Sequence, residues 1–244
     1  MIKEINTFEE ISGEVSPLFP RIFSAYKYKT GSDNVWKQTD ETNVITALLS
    51  SVDGNFTLIT TENTDFEEIK EFLNFFGCSS ILSDVPFVLA ENSYTLFKFR
   101  EKECSENNSN FLYLDGASSL KKYEEFYSLI FENKQNDFES WYCDFSKKIV
   151  NNDAKTVALK HGDVLVSVAT APMICKNTAI ISGVYTSECF RNNGYSKTTV
   201  YKLIDELKKD GVTDIYLWCE KDVEEFYEKI GFEINGKVYL GVIK

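Results

Sequence analysis

The chain has 244 residues, 43% hydrophobic and 14% aromatic, which suffices for a packed core in one large domain or two small ones. Its net charge of −12, from 38 acidic against 26 basic residues, argues against broad binding to nucleic acid or to an anionic membrane. No stretch reaches the roughly 20 apolar residues of a membrane span, the opening MIKEINTFEE lacks a basic and apolar leader, and the single histidine, His161, excludes multi-histidine metal sites. The six cysteines form no C-x-x-C pair and suit the reduced thiols of a cytoplasmic protein; no metal is expected, and the charge and the lack of an apolar span lead to an expectation of no membrane contact.

In chain order, Asn55 to Thr60 (NFTLIT) alternates as a strand does, and Phe66, Ile69, Leu73 and Phe76 then recur at helical spacing. Gly77 ends that helix, Ser79 to Leu82 resumes extended structure, and Tyr94 to Phe99 (YTLFKF) alternates again. Residues 101–110, EKECSENNSN, are polar and without period; a domain boundary is expected there, separating residues 1–108 from 109–244.

The second half predicts helices over Leu120 to Ile130 and Trp141 to Val150. Strands follow over Thr156 to Lys160 and Val164 to Thr170, joined by a turn at His161-Gly162-Asp163, and a third strand runs from about Thr178 to Thr186. After the polar SECFRNNGYS comes a helix with Val200, Leu203, Ile204 and Leu207 on one stripe, ended by Gly211. Thr213 to Cys219 is a strand, Val223 to Ile230 a short helix closed by Gly231, and Asn235-Gly236 predicts a hairpin turn in a final strand pair. Three antiparallel strands, a crossover helix and a further strand that can lie parallel to the third make a mixed sheet in an α/β (or α+β) domain.

The chemistry concentrates where the third strand passes into the helix. Arg191, Gly194 and Ser196 set an R-x-x-G-x-S pattern at a helix mouth. The first N–H groups of a helix have no internal partner and lie at the positive end of its dipole, and a glycine there lets the backbone approach a ligand. Such a cradle suits a pyrophosphate. Taken alone, the pattern is equally that of a plain loop entering a helix.

This stretch resembles motif A of the GNAT superfamily, in which a strand ending V-x-V/T is followed by R/Q-x-x-G-x-G/A; Val184 and Thr186 stand at the strand end and Arg191 to Ser196 form the loop. The segment IYLWCEKDVEEFYEKIGF resembles motif B through Phe226, Tyr227, Lys229, Gly231 and Phe232. The resemblance covers about residues 111–244 and implies a GNAT-like mixed sheet flanked by helices, acetyl-CoA or another acyl-CoA as donor, and a small-molecule or peptide amine as acceptor. It implies that Val184, Tyr185 and Thr186 bind the pantetheine arm as an added strand would. Arg191, Asn192, Asn193, Gly194, Tyr195, Ser196 and Lys197 would hold the pyrophosphate. Tyr227 would act as general acid and Glu220 as a possible base.

Two departures stand out. Serine fills the third loop position in place of Gly or Ala, and Glu220 occupies a place where motif B often carries Asn. Asp144 reads equally as facing the acceptor pocket or as lying on a solvated helix face, while Cys189, Cys219, His161 and the pair Glu224 and Glu225 read as structural or solvated residues. The first half has the strand-helix-strand rhythm without the glycine loop, so it is either a degenerate copy of the same fold or a lid over the acceptor. A non-catalytic acyl-CoA-binding sensor is the alternative function. The polar, aperiodic segment 101–110 should be the first place that limited proteolysis cuts; first cuts within residues 180–200 would sink that boundary.

Overall fold

The computed structural model of the chain describes residues 1–11, 16–31, 33–87, 90–100, 110–131 and 137–242. Two compact units emerge, and the chain is interleaved between them. One holds Met1–Phe97, Trp218–Lys229 and Glu233–Lys244; the other holds Lys98–Leu217 and Ile230–Phe232. The segment expected to carry the boundary lies, but for Asn110, outside the described residues.

The first unit opens with β1 (Ile2–Glu4), followed by α1 (Phe19–Tyr28) and the antiparallel strands β2 (Asn34–Thr39), β3 (Ile45–Val52) and β4 (Asn55–Thr60). Helix α2 (Phe66–Phe76) then crosses to β5 (Ser80–Ser83), which lies parallel to β4 with Phe56 opposite Ile81. The start of α2 is set locally. The Asp65 carboxylate accepts from the N–H groups of Glu67 and Glu68, both at 3.1 Å, and so satisfies two of the unpartnered amides of the first turn. Its Ile69 and Leu73 are fully buried against Trp36, Leu49, Phe56, Leu58 and Ile81. Burying each such side chain contributes about 1.5–3 kcal/mol, so this face, rather than helix propensity, fixes α2 on the sheet. Strand β6 (Ala90–Phe99) completes the first half of the sequence and gives its last two residues to the second unit.

The second unit contains β7 (Phe111–Tyr113), α3 (Leu120–Ile130), α4 (Phe138–Val150), and an antiparallel meander of β8 (Lys155–His161), β9 (Val164–Cys175) and β10 (Thr178–Thr186). Helix α5 (Tyr195–Lys209) leads to β11 (Asp214–Cys219), parallel to β10. Val157, Ala158 and Leu159 on β8, and Val168 and Ala169 on β9, are consecutive and all buried, as strands covered on both faces must be. Tyr123, Phe126 and Leu129 of α3 and Phe145 and Ile149 of α4 cover the face that presents Ala158 and Val168. The expected mixed α/β architecture, a sheet flanked by helices, is what the chain adopts. The meander, crossover helix and parallel strand occur in both units in the same order.

The C-terminus departs from the expected hairpin. Helix α6 (Glu224–Lys229) is followed by one strand, β12 (Phe232–Gly241), that continues through Asn235-Gly236. The two-residue turn that this dipeptide favours needs positive φ at both positions. Gly236 has φ +127°, whereas Asn235 is not among the described residues with positive φ. Pairing of Tyr239–Gly241 with β5 holds the strand extended instead. The first unit's strand order is therefore β1-β2-β3-β4-β5-β12-β6, and the chain's last strand fills a place inside it.

Cys78, buried beside α2, donates to the Ser80 carbonyl at 3.3 Å, and burial pushes its thiol up to about 11 from an ordinary 9.0. The folded chain thus keeps this proton after the unfolded chain has lost it. Stability should fall as pH rises from about 9 toward 11, and urea denaturation of Cys78→Ala should show a shallower fall across that window than the parent.

Candidate functional site

The passage from β10 to α5 is open on one side and tied down on the other. The parallel pairing of β10 with β11 ends at Ile180 opposite Tyr216, while the pairing with β9 continues to Thr186 and shifts register around Ser182. The far end of β10, carrying Val184, Tyr185 and Thr186, is thus held along its β9 edge beyond the point where β11 leaves it.

After Thr186 the loop turns through a short 3-10 segment (Glu188–Phe190) and enters α5 at Gly194. Asn192 and Gly194 both take left-handed backbone, φ 64° and 78°. Gly194 occupies the cap position and offers no side-chain cap, and a Cβ built on it meets no atom within 4 Å. The helix ladder begins with Thr198 N–H donating to Gly194 O at 3.1 Å; among the described residues, the backbone N–H groups of residues 192–197 have no protein acceptor. Open donors at the positive end of a fifteen-residue helix, behind a glycine facing free space, can hold an anion.

Side chains brace this cradle from behind. A run of hydroxyls links Ser196 to Thr186 (2.6 Å), Thr186 to Ser167 (2.8 Å) and Ser167 to the Tyr185 carbonyl (3.2 Å). With one proton per hydroxyl, the chain closes if Ser196 donates to Thr186. This accounts for the serine at the third loop position: it anchors the helix mouth to the strand end. Arg191 donates from Nε to the Thr186 carbonyl (3.2 Å), pairs loosely with Glu188 (3.4 Å) and lies over the Tyr185 ring at 5.7 Å. Asn193 donates to the carbonyls of Phe190 and Arg191. Lys197 is exposed, with its ammonium 5.6 Å from the Tyr201 ring centre. The Tyr195 hydroxyl meets His161 Nδ1 at 3.0 Å, so the β8–β9 turn is attached to the start of α5. No local pattern marks that contact in the sequence, because the partners lie 34 positions apart.

Glu220 and Tyr227 fall in the segment Trp218–Lys229, which belongs to the other compact unit. Tyr227, on α6, has its ring 5.0 Å from that of Phe226 and 6.4 Å from that of Phe97. Burial pushes its hydroxyl up to about 12, with the Cys219 thiol adding to the rise, so the phenol keeps its proton at neutral pH. Glu224 is no idle surface residue: Thr95 of β6 donates its hydroxyl to the Glu224 carboxylate and fastens α6 within the first unit. Glu225 is exposed and pairs with Lys229 at 2.7 Å. Cys219 is buried and its thiol is pushed up to about 11, first by burial and then by the acids around it. Asp144 is taken up by Lys148 at 2.7 Å, one turn along α4. Glu220 is exposed and lines a pocket of about 400 Å³ together with Arg21, Leu82, Tyr94, Trp218, Cys219 and Leu240, all residues of the first unit.

Residues 120–232 match the model of the acetyltransferase (GNAT) family, which places that segment of the chain in the GNAT superfamily. Solved structures share the fold over nearly the whole chain. A GCN5-related N-acetyltransferase from Kribbella flavida is 11% identical, with 93% of this chain and 95% of that one covered at a TM-score of 0.63. A GNAT-family acetyltransferase from Colwellia psychrerythraea is 9% identical, with 100% of each chain covered and a TM-score of 0.59. A tandem GNAT protein from the clavulanic acid biosynthesis pathway is 8% identical, with 99% and 98% covered and a TM-score of 0.59. The last likeness fits two GNAT-like units in one chain. No curated protein matches the sequence. Among the described residues, no helix is long and apolar enough to cross a membrane.

Proposed function

We propose that the chain is an N-acetyltransferase that moves an acetyl group from acetyl-CoA to a primary amine by direct attack. The observation that carries this reading is the set of N–H groups of residues 192–197, which have no protein acceptor at the mouth of α5. These groups, with Arg191 and Gly194 shaping the loop, would hold the pyrophosphate. The edge of β10 at Val184, Tyr185 and Thr186 would order the pantetheine arm through backbone hydrogen bonds. The bound donor supplies an activated acetyl thioester.

The chain's own residues then manage protons. A free amine of the lysine type has a pKa near 10 and is mostly protonated at pH 7, so the carboxylate of Glu220 takes a proton, directly or through water. As the nitrogen–carbon bond forms and the carbon–sulfur bond breaks, the departing sulfur takes the proton of the Tyr227 hydroxyl, and the second proton shed by the nitrogen returns through water to the Tyr227 phenolate. A tyrosine already keeps its proton at neutral pH, and burial of Tyr227 holds it more firmly. Along the sequence, an N-terminal GNAT-like domain (1–108) would precede the acetyltransferase domain (109–244), and a cytoplasmic location fits the reduced cysteines. A second reading, an acyl-CoA-binding sensor without turnover, draws on one observation: the cradle is built from residues of the second unit alone and uses neither Glu220 nor Tyr227.

Two experiments test the reading. Gly194→Asp places a carboxylate in front of the open amides and strains a backbone at φ +78°, so calorimetry should find acetyl-CoA binding lost. Unchanged affinity in a folded variant would move the site elsewhere. In single-turnover assays Tyr227→Phe should slow acetyl transfer by about 10²- to 10⁴-fold while leaving acetyl-CoA affinity near the parent's. Glu220→Gln should lose rate most at lower pH, where more of the amine is protonated. Parent-like turnover in Tyr227→Phe would remove it as the acid. Donor binding without transfer to any amine in a broad panel would favour the sensor.

A further inference from the structure

The 400 Å³ pocket of the first unit lies within the about 300–1,000 Å³ range of small-molecule sites and has an uneven chemistry. Leu82 of β5, Leu240 of β12, Tyr94 of β6 and Trp218 of β11 line it with apolar and aromatic surface. Among its lining residues Arg21 is the one cation and Glu220 the one carboxylate. Arg21 stands on the first turn of α1, between the buried Pro20 and Ile22, and is itself half-buried.

A guanidinium has five N–H donors in a planar fork. Among the described residues, that of Arg21 has a single partner: Nε donates to Thr57 Oγ1 on β4 at 3.1 Å, and no carboxylate pairs with it. Burial lowers its pKa from the ordinary arginine value, as expected of a guanidinium partly shielded from water. Glu220 likewise forms no ion pair with a described residue, Arg21 included. A positive and a negative group that share one small pocket without neutralising each other are complementary to a zwitterion, and the fork of Arg21 matches a carboxylate bidentately.

We propose that this pocket takes the acceptor, and that the acceptor is an amino acid with an apolar or aromatic side chain, its carboxylate on Arg21 and its amino group toward Glu220. The proposal rests on the reading of Glu220 as the base and names the substrate class for it. Arg21 is then the residue that selects amines carrying a carboxylate, while Leu82, Tyr94, Trp218 and Leu240 receive the side chain. The Nε bond to Thr57 fixes the plane of the fork and leaves its terminal nitrogens for the ligand.

The test pairs each apolar or aromatic amino acid with the monoamine left by removing its carboxyl group. Both are titrated into the full chain by calorimetry and assayed for thiol release from acetyl-CoA. At least one apolar or aromatic amino acid should bind, with its decarboxylated partner ten-fold weaker or more. Arg21→Gln should weaken the amino acid by ten-fold or more and leave the monoamine's affinity as in the parent. Arg21→Lys, which keeps the charge and loses the fork, should recover part of the loss. Equal binding of amino acid and monoamine to the parent, no amino-acid binding, or amino-acid binding indifferent to Arg21 would each overturn the proposal. The parent's own discrimination decides the matter even if Arg21→Gln fails to fold. The two readings fail differently. Transfer to monoamines without dependence on Arg21 sinks the pocket and leaves the enzyme; Arg21-dependent amino-acid binding without any transfer sinks the enzyme and leaves the pocket.

Discussion

A helix must dispose of its first N–H groups, and in this chain the choice made at the mouth of α5 governs the candidate site. A side-chain cap typically contributes about 1 kcal/mol to a helix. Helix α5 forgoes it, beginning at Gly194 with a left-handed backbone and open donors. Such a start needs support from elsewhere. It comes from the hydroxyl run through Ser196, Thr186 and Ser167, from Arg191 reaching back to the Thr186 carbonyl, and from Tyr195 meeting His161. These contacts attach the loop to β9, β10 and the β8–β9 turn without using the amides that face outward.

The first unit gives the contrast inside the same molecule. It has the same meander, crossover helix and parallel strand, yet both corresponding positions are closed by its own carboxylates. Asp65 caps α2 by accepting from Glu67 and Glu68. At the end of β4 the Asp84 carboxylate accepts from the Thr60 amide at 3.0 Å and from the Thr60 hydroxyl at 3.0 Å. Burial raises the pKa of Asp84, while these bonds work in the opposite direction. A helix start already supplied with an anion has little to offer another, so one topology yields a self-satisfied unit and an open one through a few side chains.

The open helix mouth of the second unit was legible in the sequence because it is local. The R-x-x-G-x-S loop, the apolar stripe of Val200, Leu203, Ile204 and Leu207, and the alternation in Asn55–Thr60 each lie within a few turns or one strand, and the chain folds there as its periodicity dictates. Contacts between distant positions were not legible. Asn235-Gly236 carries a strong hairpin signal, yet β12 runs straight because its partner is Ile81–Ser83, more than a hundred residues upstream. The first fifty residues, with α1 and three strands, carry weak punctuation and yielded no assignment. Arg21 drew no notice there, since an arginine in a helical segment is ordinarily a solvated one. Its half-buried place among Leu82, Tyr94 and Trp218 arises from strands that the sequence does not bring together. Ser196 departs from the motif and is explained only by Thr186, ten positions earlier.

The ionisation states in the segment Trp218–Lys229 narrow the chemistry available to it. Cys219, the one thiol there, has been pushed up to about 11 by burial and by Glu224, Asp222 and Glu220 around it. At pH 7 its thiolate fraction is about one in ten thousand, too little for a nucleophile whose reactive form is the thiolate. Tyr227, raised to about 12, is likewise held neutral, and the Cys219 thiol contributes to that rise. The same burial that silences the cysteine therefore helps keep the phenol protonated. A segment with a silent thiol and a retained phenol proton offers a donor and no covalent nucleophile. For the proposed reaction, that combination fits attack by the amine itself on the thioester better than passage through an acylated cysteine.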